Sequence, residues 1–191
     1  MNLPNKLTML RVLLVPVFMV FATLSNYGTA DFNATWMLVA GIVFAVASIT
    51  DFLDGYLARK YHLVTDFGKF MDPLADKCLT TAALLYMVVD GVCSPIVLAI
   101  VLFREFAVAG VRMIAAESGT VIAANMWGKV KTVLQMLTII FYYFAAALSA
   151  PSDALGVGLI TGVLTWLVAA ATLLSGAIYL WQNRACFMQA K

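Results

Sequence analysis

Apolar residues fall into six long segments that short polar or charged stretches separate. The segments cover residues 5–24, 35–58, 74–89, 95–117, 126–149 and 156–182. A helix needs roughly 20 residues to cross a bilayer, and most of the segments reach about that length. Turn-forming residues such as Gly28, Gly91 and Pro151 stand in the breaks. The pattern predicts an all-α polytopic membrane protein with six transmembrane helices in one domain, residues 1–191.

The composition supports a bilayer as the solvent. The chain is 63% hydrophobic and 12% charged, with a mean hydropathy of +0.95. Ordinary soluble domains are about half apolar and about a quarter charged. The net charge of +2 is small, and no nucleic-acid partner is predicted.

The distribution of charge orients the predicted bundle. Loops 25–34, 90–94 and 150–155 contain Asp31, Asp90 and Asp153 but no Lys or Arg. All 12 basic residues lie near the other side or in segments that lead to it. Because basic loops stay cytoplasmic, both termini are expected on the cytoplasmic side of the membrane.

Four aspartates form the most informative pattern. Asp51 and Asp54 share one helix face with Gly55 and Ala58 on the second segment. Asp72 and Asp76, four residues apart, share a face on the next helix. Two consecutive helices can therefore direct four carboxylates to one place.

Carboxylates so close together repel one another, and divalent cations relieve this repulsion. Oxygen-only ligands suit Mg²⁺ or Mn²⁺, and two such ions can clamp the oxygens of a phosphoryl transfer. The sequence therefore predicts a site for two ions. The simpler alternative treats each aspartate as a charge at a helix end.

The spacing D-x2-D-G-x2-A-R-x8-G-x3-D-x3-D resembles the signature of the CDP-alcohol phosphatidyltransferase family. The matching positions are Asp51, Asp54, Gly55, Ala58, Arg59, Gly68, Asp72 and Asp76. This resemblance implies a six-helix membrane fold, a homodimer and a di-metal site at the cytoplasmic face. It also implies transfer of a phosphatidyl group from CDP-diacylglycerol to an alcohol, with release of CMP.

The same resemblance assigns roles to residues. Asp51, Asp54, Asp72 and Asp76 are implied to bind the metal ions, and Asp76 is also the implied general base. The implied contacts to the CDP-lipid are Gly55, Ala58, Arg59, Gly68, Asn5 and Thr8.

Cations in the fourth and fifth segments suggest the acceptor. They are Arg104, Arg112, Lys129 and Lys131. Membrane-embedded cations need anionic partners, and Glu105 can neutralise only part of this charge. The surplus favours a phosphorylated acceptor. The alternative is that Arg104 pairs with Glu105 while the other cations reach the headgroups.

Three shorter stretches, residues 2–11, 103–105 and 128–132, resemble bacterial members of this family that use sn-glycerol 3-phosphate. That acceptor is therefore expected, with inositol phosphate and serine as alternatives. A prenyltransferase would have a different aspartate spacing and more helices. A small transporter or proton channel would place its ionisable residues at mid-membrane, whereas here they cluster toward the cytoplasmic ends.

Overall fold

The computed structural model describes residues 3–60, 66–117, 126–149 and 153–184. Its side chains are described over residues 8–51, 74–115, 126–149, 153 and 155–184. These parts of the chain form six α-helices and no strand, which confirms the all-α prediction. The helices are α1 (Leu3–Leu24), α2 (Ala34–Lys60), α3 (Asp66–Val89), α4 (Pro95–Glu117), α5 (Met126–Leu148) and α6 (Ala154–Gln182).

The boundary between α2 and α3 differs from the expectation. The sequence pattern suggested a charged stretch over 59–73 and a helix from 74, but α2 continues to Lys60 and α3 begins at Asp66. Charged residues such as Lys and Arg are good helix formers, so polarity alone does not end a helix. An aspartate is also favoured at the first position of a helix.

The helices pack around an aromatic centre. The ring centroid of Phe18 on α1 lies 5.9 Å from that of Phe44 on α2, 6.1 Å from that of Tyr86 on α3 and 5.4 Å from that of Tyr143 on α5. A Cβ added to Gly41 would lie 2.9 Å from the Cβ of Tyr143, so α2 and α5 approach closely there. Outside this centre, α4 packs mainly on α6.

Within the described residues, three helices have stretches long and apolar enough to cross a membrane: residues 34–51, 126–148 and 155–182. A shorter apolar stretch runs from Thr8 to Leu24. Large apolar side chains are exposed on the outer faces, including Phe103 at 75% and Leu155 at 81%. These features indicate a membrane protein. That α1, α3 and α4 also span the bilayer stays a prediction, because the apolar stretch of α1 is short and α3 and α4 carry charged residues.

The turn between α3 and α4 is fixed to α5. Gly91 supplies a positive φ of 75°, which favours glycine. The hydroxyl of Tyr142 donates a 2.7 Å hydrogen bond to Oδ2 of Asp90. Burial raises the pKa of Asp90 to about 6, although the hydrogen bond from Tyr142 opposes this. The hydrogen bond between Tyr142 and the Asp90 carboxyl group thus connects the α3–α4 turn to the core.

Candidate active site at the ends of α2 and α3

The four aspartates lie on two consecutive helices, as predicted. Asp51 and Asp54 belong to α2, and Asp72 and Asp76 belong to α3. Their helical placement gives each pair a common helix face. The side chains of Asp54 and Asp72 lie outside the described residues. The side chains of Asp51 and Asp76 are described, and their contacts define the geometry of the site.

Asp51 is held by a buried arginine from α1. Nη1 of Arg11 lies 2.7 Å from Oδ1 of Asp51, and the Arg11 side chain has no exposed surface. Thr8, one turn earlier on α1, is also buried. A buried charge is tolerated when a counter-charge compensates its desolvation. The ion pair therefore connects α1 to the aspartate-bearing end of α2.

Asp76 has a buried carboxylate oxygen, Oδ1, with no hydrogen-bond partner among the described residues. Asp51, Arg11, Glu105 and Lys131 all lie within electrostatic range of this carboxylate. Buried polar atoms in native proteins nearly always have a partner, and an ion or a substrate can supply it. The donor chemistry of the predicted four-carboxylate set therefore fits a hard divalent cation.

A second charged cluster joins α3, α4 and α5. Oε1 of Glu105 accepts hydrogen bonds from Nζ of Lys131 at 2.8 Å and Nη1 of Arg104 at 3.0 Å. Nζ of Lys77 lies 4.0 Å from Oε2 of Glu105. Three cations thus surround one carboxylate. The cluster keeps the positive surplus that the sequence suggested, although Arg104 and Lys131 share one anionic partner.

A cavity of about 490 Å³ is lined by the candidate base Asp76 and by Lys131, one of the four acceptor candidates. Its polar lining consists mainly of Asp76, Lys77, Glu105, Lys131 and Gln135. Most of the remaining lining is apolar and comes from α1, α3 and α4. A cavity lined by several charged side chains and otherwise mostly by apolar ones suits a molecule that has a charged headgroup and a hydrocarbon part.

Small residues enclose the side chain of Arg104. Its Nη2 donates a 3.0 Å hydrogen bond to Oγ of Ser175 on α6. A Cβ added to Gly128 would lie 3.0 Å from Nη2, and one added to Gly176 would lie 3.1 Å from Cγ of Arg104. Because these two residues are glycines, the Arg104 guanidinium has space to reach Glu105.

The other two predicted acceptor contacts lie apart from this cluster. Nε of Arg112 donates a 3.3 Å hydrogen bond to the hydroxyl of Tyr179, and its guanidinium carbon lies 5.8 Å from the Tyr179 ring centroid. Lys129 is exposed at the start of α5. The structure therefore brings Arg104 and Lys131 together, but not Arg112 or Lys129 with them.

Several CDP contacts implied by the family resemblance lie outside the described side chains. Asn5, Ala58 and Arg59 are helical, but their side chains lie outside the described residues. Gly55 and Gly68 likewise have helical backbone in α2 and α3. Among the described side chains no three His, Cys, Asp or Glu residues group together to hold a metal ion, and Asp54 and Asp72 are not among those side chains.

Sequence reasoning missed two residues of this site. The sequence pattern gives Arg11 no role at the aspartates, and it treats Glu105 only as a partial counter-charge for the cations of the fourth and fifth segments. Both are charged residues within apolar segments, and that was the available signal. Periodicity could not reveal that Arg11 faces Asp51 on another helix.

Residues 1–175 match the CDP-alcohol phosphatidyltransferase family, and the chain therefore belongs to it. Among its relatives is the CDP-diacylglycerol–glycerol-3-phosphate 3-phosphatidyltransferase of Bacillus subtilis (strain 168). It is 44% identical over 143 residues, which are 72% of this chain and 74% of the relative. The enzyme of the same name from Rickettsia felis is 34% identical over 178 residues, 93% of each chain. A probable phosphatidylglycerophosphate synthase of Mycobacterium tuberculosis is 41% identical over 150 residues, 78% of this chain and 68% of the relative.

Proposed function

We propose that this protein transfers the phosphatidyl group of CDP-diacylglycerol to sn-glycerol 3-phosphate, giving phosphatidylglycerol phosphate and CMP. Family membership supports the reaction class, and the names of the relatives support the acceptor. The observation that carries the proposal is the buried Oδ1 of Asp76, which no described residue hydrogen-bonds, in a cavity that Lys131 also lines. A reactive carboxylate and a phosphate-binding cation thus line the same space.

In the proposed reaction the free primary hydroxyl of the acceptor attacks the β-phosphorus of the CDP-lipid. A new P–O bond forms, the bond to the bridging oxygen breaks, and CMP leaves with that electron pair. Asp76 accepts the hydroxyl proton as general base. Arg59, with Gly55, Ala58, Gly68, Asn5 and Thr8, is proposed to bind the CDP part of the lipid.

Asp51, Asp54, Asp72 and Asp76 are proposed to hold two divalent ions, Mg²⁺ or Mn²⁺. When bound, these ions would neutralise charge that develops on the diphosphate. Arg11 would keep Asp51 oriented toward the site through their ion pair. The protein's own contribution is therefore to bring carboxylates from α2 and α3 to one end of the bundle.

Lys131 and Arg104 are the proposed contacts to the acceptor phosphate. Glu105 orients both of them and leaves a positive surplus for a dianion. Arg112 and Lys129 are proposed as outer contacts that guide the phosphate toward the cavity. Arginine and lysine bind phosphate as a fork and as a point charge respectively.

We further propose a homodimer in the bacterial cytoplasmic membrane, with both termini and the active site on the cytoplasmic side. The charge asymmetry of the loops supports this orientation. The single catalytic domain would comprise residues 1–191. A site at the cytoplasmic face would receive sn-glycerol 3-phosphate from water and the CDP-lipid from the bilayer.

The test is CMP release by the purified protein with CDP-diacylglycerol and Mg²⁺ or Mn²⁺. We expect release with sn-glycerol 3-phosphate and little with serine or inositol. Release with inositol phosphate alone would preserve the reaction class and replace the acceptor. No release with any of the four alcohols would refute the proposed function.

A further inference from the structure

Gln135 lines the cavity beside Asp76 and has no role in the reaction proposed above. Gln135 on α5 has 4% of its surface exposed, and its Oε1 is buried with no hydrogen-bond partner among the described residues. Gln135 lies one turn after Lys131, so the two residues share a helix face. Both line the cavity that contains Asp76.

A buried amide oxygen without a partner destabilises the fold, whereas leucine or methionine could fill a similar volume without that cost. The rest of the cavity is mostly apolar, so packing gives no reason for an amide here. Neighbouring Thr138 shows the ordinary solution, since its hydroxyl donates a 2.8 Å hydrogen bond to the carbonyl of Leu134 in its own helix.

We propose that Gln135 is a specificity-determining residue that accepts a hydrogen bond from the non-reacting secondary hydroxyl of the acceptor. The inference rests on the proposed function, because it deepens the acceptor site. A glycerol phosphate needs three kinds of contact: cations for its phosphate, a base for its primary hydroxyl and an acceptor for its secondary hydroxyl. Lys131, Asp76 and Gln135 line one cavity and supply one of each.

The test compares sn-glycerol 3-phosphate with 3-hydroxypropyl phosphate, which has the same phosphate and primary hydroxyl but no secondary hydroxyl. A site built to bind a hydroxyl rejects an analogue that lacks it. We expect wild-type protein to prefer sn-glycerol 3-phosphate by at least about tenfold in kcat/KM. Gln135→Met should bring this ratio close to one, mainly by losing activity on sn-glycerol 3-phosphate, and should leave the KM for CDP-diacylglycerol unchanged.

Melting temperature supplies a second readout that does not depend on activity. Gln135→Met should leave the melting temperature unchanged or raise it, because it removes a buried unpartnered oxygen. Thr138→Val is the matched control on the same helix, and it should keep the wild-type preference between the two alcohols.

Three outcomes would overturn the inference: an unchanged ratio in Gln135→Met, equal losses on both alcohols, or an altered KM for the CDP-lipid alone. The last result would assign Gln135 to the lipid instead. Failure of the proposed function looks different, since wild-type protein would then release no CMP with sn-glycerol 3-phosphate.

Discussion

At the scale of single residues, the site depends on charges withdrawn from solvent. The side chain of Arg11 is fully buried and forms an ion pair with Asp51. The side chain of Lys131 is 3% exposed and forms an ion pair with Glu105. Removing one partner of such a pair leaves an uncompensated charge and typically costs about 3–5 kcal/mol when both groups are buried. Because Asp51 is 31% exposed, solvent screens its pair with Arg11, and breaking this pair should cost less than that figure. Asp76 differs, because its Oδ1 has no hydrogen-bond partner among the described residues.

Replacing the aspartates should therefore separate activity from stability. We expect Asp51→Asn, Asp54→Asn, Asp72→Asn and Asp76→Asn each to lower the rate of CMP release by about 10² or more. Asp76→Asn should do so with an unchanged or higher melting temperature, since it also relieves repulsion with Asp51. Asp51→Asn should lower the melting temperature, because it weakens the partner of Arg11.

The matched control is Asp31→Asn, because Asp31 is exposed in a turn. The proposed orientation places this turn on the other side of the membrane from the aspartates. Asp31→Asn should retain both the wild-type rate and the wild-type melting temperature. Near-normal activity in any two of the four active-site variants would contradict the carboxylate cluster.

At the scale of helices, the local pattern was enough to place the aspartates but not their neighbours. The spacing of Asp51 and Asp54, and of Asp72 and Asp76, predicted two common faces, and α2 and α3 do contain these pairs. The pattern predicts the start of α3 too late, because a charged stretch resembles a loop although α3 begins at Asp66. Contacts between helices, such as Arg11 with Asp51 and Glu105 with Lys131, depend on helix rotation and packing, which periodicity does not specify.

The α3–α4 turn gives a pH prediction that belongs to this scale. Because burial raises the pKa of Asp90 to about 6, the folded protein retains this proton where the unfolded chain, with a pKa of about 3.9, has lost it. The folded state therefore binds more protons between about pH 4 and pH 6, and stability falls as pH rises through this window. The Asp90 contribution then stays constant above about pH 7.

Comparing variants isolates this contribution from other titrating groups. Asp90→Asn can still accept the hydrogen bond from Tyr142, so its melting temperature should exceed that of wild type at pH 7.5. The two proteins should differ least near pH 4. A constant difference between them at all pH values would contradict the shifted pKa of Asp90. Asp31→Asn serves again as the control and should follow the wild-type curve.

At the scale of the whole molecule, the bundle combines an apolar exterior with charged contacts among its helices. Large exposed apolar side chains lie on most helices, while the described charges of the site meet where α1 to α5 approach one another. Each of these five helices supplies at least one charged group: Arg11, Asp51, Asp76, Glu105 and Lys131. The site is therefore a product of the assembled bundle. The sequence of a single segment can suggest which charged residues belong to the site, but it does not show which of them contact one another.

Direct counting of bound metal tests the central claim, that carboxylates of α2 and α3 hold divalent ions. Mn²⁺ titration of the purified protein with CDP-diacylglycerol, followed by electron paramagnetic resonance, should show about two bound ions per chain. Asp54→Asn and Asp76→Asn should lose most of this binding, while Asp31→Asn should retain it. No bound Mn²⁺ in the wild-type protein, or equal binding in all these variants, would contradict the account.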